Sequence, residues 1–237
     1  MALVFFALLV LIAAGLLVLH QPQAYQPRIL SKELQQQREK EGKDQFTNMY
    51  NDIQRLETFK VIYNQQLIND LLMLDDVRSG YKQQISRVEQ YFKYAQFVFD
   101  NERIYLMGQA SLENINAVVT ITFVTRVTSG GKLEIELESI KAGALPVPST
   151  LVLEQLQHLV SNVATGSIDL GTLNHYYLND KQLEHDWAGL LKNLLNNRRV
   201  SLDAVLRTMD DKQVRIENIL SDKGNLELTL SPMYIGK

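Results

Sequence analysis

The sequence predicts an α+β protein in which an N-terminal transmembrane helix precedes a long, curled antiparallel sheet packed on amphipathic helices. An unbroken apolar run occupies residues 2–19. Alternation of apolar and polar residues, strict over residues 133–138, marks two long strands between residues 118 and 138, and leucine-rich stripes at helical spacing mark later helices. We predict a transmembrane anchor over residues 1–21, a partly helical polar stalk over 22–57 and one α+β domain over 58–237.

The composition is that of a globular protein without thiol chemistry. The 237-residue chain is 46% hydrophobic and 22% charged, which argues against disorder. Its formal net charge of −3 gives no long-range attraction for nucleic acid, so we predict no nucleic-acid partner. The sequence contains no cysteine, which excludes disulfides, thiolate nucleophiles and cysteine-ligated zinc.

The first apolar run, Ala2–Leu19, contains no charged side chain. As a helix it would span roughly 27 Å at ~1.5 Å per residue, which is close to the ~30 Å hydrocarbon core of a bilayer. Pro22 and Pro27 would then end the helix. We therefore predict an uncleaved single-pass anchor in the cell membrane; a cleaved signal peptide and a buried core helix are the alternatives.

The charges around this run leave its orientation open. No Lys or Arg precedes it, whereas Arg28, Lys32 and Arg38 follow it, and the positive-inside rule would then place the large domain in the cytoplasm. An N-terminal apolar segment before a long cysteine-free domain is nevertheless the usual layout of an exported protein. We predict that the large domain is extracytoplasmic.

The polar segment that follows carries one helical stripe. Apolar residues at spacings of three and four predict a helix that docks on the domain through Phe46, Met49, Tyr50, Ile53 and Leu56. The residues before them form almost no stripe and are interrupted by Gly42. We predict a solvated stalk that lifts the domain from the bilayer, with a short coiled-coil dimer as the alternative.

The domain begins with a short strand and a capped helix. Alternation over residues 59–63 predicts the strand, and Asn64 is a suitable N-cap for the leucine-rich helix that follows it. Residues 91–109 are typical of two paired extended segments around a turn at residues 100–102.

The clearest β signal is a hairpin in the middle of the chain. One face of the first strand carries Val119, Ile121, Phe123, Thr125 and Val127, and one face of the second carries Leu133, Ile135 and Leu137, on either side of a glycine-containing turn. The alternate positions of the second strand are Glu134, Glu136 and Glu138. We interpret them as a solvent-facing row that discourages edge pairing, because no loop brings them together as calcium ligands.

Helices and a second hairpin are predicted after this one. The proline-rich joint at residues 146–148 predicts an extended crossover. Apolar stripes then predict helices over residues 149–163 and 179–195 and a short helix near 202–209. A closing hairpin is predicted between residues 214 and 230.

Residues with catalytic or metal-binding chemistry form no recognisable motif. The histidines, His20, His158, His175 and His185, lack the spacing of a metal-binding helix. The sequence contains no nucleophile elbow, phosphate-binding loop or dinucleotide-binding turn. We therefore predict no enzymatic activity, no catalytic residue, no metal site and no cofactor.

The apolar residues exceed what a two-layer core obviously needs. A long sheet that is apolar on one face and wrapped against a helix leaves an elongated groove in which an acyl chain fits. An ordinary solid core is the alternative. The predicted ligand-binding residues are Val119, Ile121, Phe123, Leu133, Ile135, Leu137, Leu153, Leu156 and Val160.

Four segments within residues 59–156 carry a resemblance to a known family. In order they are FKVIYNQQLINDLL, FVFDNERIYLMGQAS, VVTITFVTRVTSGGKLEIELESI and KAGALPVPSTLVLEQL, and the closing VRIENILSDKGNLELTLSP fits more loosely. The arrangement resembles the YpmS-like family of membrane-anchored envelope proteins of Gram-positive bacteria. It is similar, more distantly, to tubular-lipid-binding and AsmA-like proteins. The long polar stalk and the extended region over residues 164–200 depart from the family pattern.

The resemblance implies an extracytoplasmic, half-barrel-like domain with a groove that accommodates lipid. We therefore hypothesise a membrane-anchored binding protein that holds a lipid or another long apolar ligand between the sheet and a helix. The alternative, from a different class, is an envelope scaffold that recruits a protein partner and holds no ligand.

Overall fold

The computed structural model describes residues 15–74, 92–112, 115–148, 193–207 and 212–233. In these residues the chain forms two antiparallel sheets and two helices of eight residues or more. The elements are, in chain order, α1 (Lys32–Gln54), β1 (Phe59–Asn64), α2 (Gln65–Leu72), β2 (Phe92–Asp100), β3 (Arg103–Leu112), β4 (Ile115–Val127), β5 (Lys132–Ala142), β6 (Leu145–Pro146), β7 (Arg199–Asp203), β8 (Val205–Arg207), β9 (Gln213–Asp222) and β10 (Asn225–Met233).

The two sheets differ in size and in how their strands are connected. The large sheet has the order β2-β3-β4-β5-β6, and β7 also pairs with β5. The small sheet has the order β1-β10-β9-β8. Its first pair joins distant parts of the chain, because Phe59 lies opposite Leu230 and Asn64 lies opposite Asn225.

The predicted hairpins are confirmed. β4 and β5 pair antiparallel, with Val127 opposite Leu133 and Val119 opposite Ala142. β2 pairs with β3 around the predicted turn, and β9 pairs with β10. Asn64 is the N-cap of α2, since its side chain accepts a hydrogen bond of 2.9 Å from the Gln66 amide.

The docking of α1 is confirmed for Phe46, Met49 and Ile53, whereas Leu56 lies beyond the end of α1 and is 45% exposed. Met49 and Ile53 are buried in one cluster with residues of the small sheet, and Phe46 packs against the same cluster. The buried sheet residues of this cluster are Val61, Ala204, Val214, Ile216 and Leu230. The helical part of the predicted stalk is therefore part of a hydrophobic core, because its stripe excludes water from the small sheet.

The predicted fold class is wrong in two respects. The strands form two sheets instead of one long curled sheet, because the closing hairpin pairs with β1. Where an N-terminal transmembrane helix was predicted, no helix in the described part of the chain is both long enough and apolar enough to cross a membrane. Residues 2–14 of that predicted helix lie outside the described residues.

The short helix predicted near residues 202–209 is also wrong. Residues 199–203 instead form β7, with Asp203 opposite Lys132 and Arg199 opposite Glu136. The edge of β5 supplies hydrogen-bond partners that a local pattern cannot reveal, and this long-range pairing overrides a weak helical spacing. The helices predicted over residues 149–163 and 179–195 lie mostly outside the described residues.

Two side chains of α2 cover the edge of the large sheet. The Asn69 side chain donates to the carbonyl of Phe97 (2.8 Å) and accepts from its amide (2.7 Å). The Gln65 side chain accepts from the amide of Phe99 (2.9 Å). Because an open strand edge is a template for aggregation, these amides satisfy β2 where another strand would otherwise pair.

Residues 17–30, which we call the strap, run across the large sheet before α1 begins. At one end, the carbonyl of Leu17 accepts from the amide of Ala144 in the β5–β6 turn (2.8 Å). At the other end, the Gln96 side chain on β2 donates to the carbonyl of Ala24 (2.8 Å) and accepts from the amide of Gln26 (3.3 Å). The strap therefore crosses from the β6 edge of the sheet to the β2 edge.

Gly143 permits the close approach of the strap to the β5–β6 turn. Its φ is +58°, and a Cβ atom there would lie 2.3 Å from the carbonyl oxygens of Leu17 and Val18. Gly131, in the β4–β5 turn, has a similar φ of +70° but open space around the same position. Both glycines therefore have a positive φ, but only at Gly143 would an added side chain displace neighbouring backbone.

We predict that Gly143→Ala destabilises the protein more than Gly131→Ala does. Gly131→Ala should lower the free energy of unfolding by about 1 kcal/mol, the cost of a left-handed non-glycine residue. Gly143→Ala should cost a further ~1–3 kcal/mol because the added methyl group displaces strap backbone. Urea unfolding of the two variants measures the difference, and equal losses would show that the strap is not pressed against the turn.

Candidate functional site

The two faces of the large sheet have different chemistry. We call the face that carries Val119, Ile121 and Phe123 the apolar face, and the face that carries Val118, Thr120 and Thr122 the mixed face. The division follows from the alternation of side chains along β4. Both faces are candidate sites, since ligands bind where side chains of fitting chemistry converge in a concave, partly exposed surface.

The apolar face combines buried and half-buried side chains. Leu137 and Ile140 on β5 are buried together with Leu195, at 2%, 3% and 7% exposure. The β4 side chains that pack against them, Val119, Ile121 and Phe123, are only partly buried. Leu194 and Val147 complete the cluster. A row of half-buried apolar side chains on β4 thus lies next to buried apolar side chains on β5.

A bulge aligns these residues across the two strands. The β4–β5 register shifts between Thr122 and Phe123, so that Phe123 lies opposite Leu137 and Ile121 lies opposite Ile140. The extra residue in β5 is needed because Leu137 and Ile140 are three positions apart and would otherwise point to opposite faces. The bulge therefore keeps the apolar face continuous.

The apolar face extends onto β3. Ile104 lies opposite Phe123, Leu106 lies opposite Ile121, and Gly108 lies opposite Val119. Large residues therefore meet at the Phe123 end of the row, whereas the Val119 end carries a glycine. The glycine end of the row is the end nearest the β5–β6 turn, since Val119 lies opposite Ala142.

Six of the nine predicted ligand-binding residues lie in the described part of the chain. Val119, Ile121, Phe123 and Leu137 come together in one cluster. Leu133 instead packs against the core of the small sheet, and half-buried Ile135 lies opposite Thr125. Leu153, Leu156 and Val160 lie outside the described residues.

Sequence reasoning did not select four residues of this cluster, Ile140, Val147, Leu194 and Leu195. Ile140 follows the bulge, which a strict two-residue alternation does not anticipate. Leu194 and Leu195 were visible as the end of a predicted helical stripe, but their packing against β4 and β5 is a tertiary contact. Their leucine spacing was the available signal.

The mixed face is buried under the strap at one end. Tyr25 of the strap is 4% exposed and packs with buried Met107 and Val118. Thr120 lies opposite Met107 in the β3–β4 register, two positions after Val118 on the same strand, and is 6% exposed. Its hydroxyl has no hydrogen-bond partner among the described residues of the chain. A buried hydroxyl without a partner is costly and uncommon.

Ion pairs cover the other end of the mixed face. Glu134 pairs with Arg126, Glu136 with Arg199, and Glu138 with Arg103. The bidentate contact with Arg103, at 2.7 and 2.8 Å, holds the pKa of the Glu138 carboxyl below its usual range. The predicted acidic row is therefore neutralised pair by pair, and each carboxylate already has its cation.

A buried carboxylate ties the strap to both helices. Asp70 on α2 is 2% exposed, and its two oxygens accept from Arg28 of the strap and Arg38 of α1, with Nε to oxygen distances of 2.9 Å in both cases. Arg38 also pairs with Glu41. Hydrogen bonds from Gln37 and Arg38 lower the pKa of the Glu41 carboxyl. Both oxygens of Asp70 are occupied by guanidinium groups, so the cluster joins segments of the chain.

The described residues contain no group of three or more His, Cys, Asp or Glu side chains that could hold a metal ion. His20 is exposed, and His158, His175 and His185 lie outside the described residues. In the described residues, one face of the large sheet carries apolar side chains and the other carries paired charges.

We predict that Asp70→Asn destabilises the protein by about 2 kcal/mol or more. The neutral amide cannot accept both guanidinium groups, and breaking a buried ion pair leaves its partner without compensation. Glu134→Gln is the matched control, because it removes a carboxylate from an accessible pair with Arg126 and should cost less than ~1 kcal/mol. Chemical denaturation measures both, and similar losses would contradict the role of Asp70.

Comparison of the chain with protein-family models, with curated proteins and with solved structures found no match.

Proposed function

We propose that the protein is an extracytoplasmic binding protein that holds a lipid acyl chain, or another long apolar molecule, against the apolar face of the large sheet. The observation that carries the proposal is the half-buried row of Val119, Ile121 and Phe123, backed by buried Leu137 and Ile140. In a solid core the central strand would be as deeply buried as its neighbour. Here the central strand keeps apolar surface that a ligand can cover.

The dimensions of the row fit a chain-like ligand. From residue 119 to residue 123 the strand extends about 13 Å at ~3.3 Å per residue. One leaflet of a bilayer has a hydrocarbon thickness of ~15 Å, half of the ~30 Å core. An acyl chain lying along β4 would therefore have much of its length in contact with apolar side chains.

The driving force is burial of apolar surface, at about 25 cal/mol per Å². Neither a nucleophile nor a metal is needed for such binding, because no bond forms or breaks. The glycine end of the row, at Gly108 opposite Val119, is the natural position for the bulkier part of a ligand. The extracytoplasmic location and membership of the YpmS-like family are part of the proposal and rest on the sequence.

A second candidate function is recruitment of a protein partner through the outer face of the small sheet. Ile62 is 54% exposed and Leu220 is 39% exposed. They lie in one cross-strand row on either side of Glu227, which pairs with Lys60. Apolar residues next to a paired charge resemble the mixed chemistry of a protein interface.

The two candidates make opposite predictions for a tryptophan scan. We predict that a photoreactive fatty acid crosslinks to peptides of β4 and β5 in the purified full chain, and that Ile121→Trp lowers the yield at least fivefold by filling the row. Ile62→Trp is the matched control on the other sheet and should leave the yield unchanged. Mass spectrometry of the crosslinked peptides locates the fatty acid, and circular dichroism establishes that both variants are folded.

Absence of crosslinking in the unaltered chain would end the lipid proposal. So would crosslinking that Ile62→Trp reduces as strongly as Ile121→Trp, because the fatty acid would then not lie along β4. If Ile62→Trp alone abolished co-purification of a protein partner from the source membrane fraction, the recruitment function would be favoured.

A further inference from the structure

The strap is attached to the large sheet mainly by discrete polar contacts. Tyr25 and Leu30 are its buried side chains, at 4% and 6% exposure, whereas its neighbours such as Gln23 and Ile29 are exposed. The structure assigns the strap to none of the strands of either sheet. A segment held without a continuous hydrogen-bond ladder opens at low free-energy cost compared with the strands beneath it.

The polar contacts of the strap are made by a few separate side chains. The Tyr25 hydroxyl donates to the carbonyls of Lys93 and Tyr94 at 3.4 and 3.3 Å, which are long distances for such bonds. Gln96 supplies two hydrogen bonds, and Arg28 contacts Asp70 while remaining 42% exposed.

One feature of the mixed face beneath the strap favours opening. Thr120 lies beside Met107 and Val118, the two residues on which Tyr25 packs, and its hydroxyl lacks a partner among the described residues in the closed arrangement. Water would satisfy this hydroxyl once the strap is displaced. The closed state therefore carries a penalty that opening removes, which narrows the free-energy gap between the two states.

We infer that the strap is a reversible cover that releases from the large sheet as one unit and exposes the mixed face around Thr120. The contacts at Gln96 and at Arg28 hold one end, and the Leu17–Ala144 hydrogen bond reports on the other. Loss of either polar contact at the first end lowers the free energy of release at both. This inference concerns the mixed face and does not depend on a ligand at the apolar face.

Two neighbouring amides provide an internal control for the test. The amide of Ala144 donates to the strap carbonyl of Leu17 (2.8 Å), whereas the amide of Gly143 donates to the sheet carbonyl of Val118 (2.8 Å). Release of the strap frees the first and leaves the second in place. Hydrogen exchange of the full chain, followed by NMR and corrected for intrinsic rates, distinguishes them.

We expect the Ala144 amide to exchange at least about tenfold faster than the Gly143 amide in the unaltered protein. Gln96→Ala and Arg28→Ala should each accelerate exchange at Ala144, by about tenfold for Gln96→Ala because two hydrogen bonds are lost. Exchange at Gly143 should change less than about twofold. Arg28→Ala alters an accessible strap residue, so it tests the inference even if Gln96→Ala perturbs β2.

Thiol labelling gives a second measurement in this cysteine-free chain. The first variant, Val118→Cys, places a thiol under the strap, and the control, Ala117→Cys, places one on the opposite face of the same strand. The native residues are both buried, with Val118 at 8% and Ala117 at 2% exposure. Arg28→Ala should speed labelling of the first and leave the second unchanged. Equal acceleration at both cysteines, or at both amides, would mean general opening of the sheet and would overturn the inference, as would no change at Ala144 in either variant.

Discussion

Strand β4 belongs to both sides of the large sheet, because successive side chains of a strand point to opposite faces. Its odd-numbered residues from Val119 to Phe123 build the apolar face, and the even-numbered residues from Val118 to Thr122 build the mixed face. Since β4 lies between β3 and β5, it cannot turn one set of side chains outward without moving the other. The proposed ligand row and the surface beneath the strap therefore share one backbone.

Two sets of long-range contacts hold together the segments around β4. The β1–β10 pairing closes the small sheet with residues from both ends of the domain, and α1 covers the resulting core through Met49 and Ile53. Asp70 then joins the strap, α1 and α2 through two guanidinium groups. Because a buried carboxylate requires such partners, its position in the core determines where Arg28 and Arg38 lie. These ion pairs attach the strap and α1 to the rest of the domain.

The local elements of the fold were predictable because their signals are local. Alternation identifies β4 and β5, the turn residues identify three hairpins, and Asn64 marks the start of α2. Pairing between distant segments carries no such signal. Nothing near Phe59 indicates that its partner is Leu230, so the division into two sheets was missed, and the strand at residues 199–203 was mistaken for a helix.

The candidate site was also predictable only in part, from the alternation of its side chains. Val119, Ile121, Phe123 and Leu137 were selected from their alternation, and the structure brings them together. Ile140 was missed because the β5 bulge interrupts the alternation. Leu133 was selected with the others, and the structure packs it against the core of the small sheet. Alternation reports which face a residue occupies, but not which of two adjoining clusters it enters.

The central claim is that unfilled apolar space lies beside β4. Xenon binds apolar cavities that remain dry, so methyl chemical shifts under xenon pressure measure that space directly. The account predicts pressure-dependent shifts for the methyl groups of Val119 and Ile121, and none for Leu230, which is fully buried in the core of the small sheet. Shifts at Val119 and Ile121 no larger than those at Leu230 would mean that side chains fill the space, and would contradict the claim.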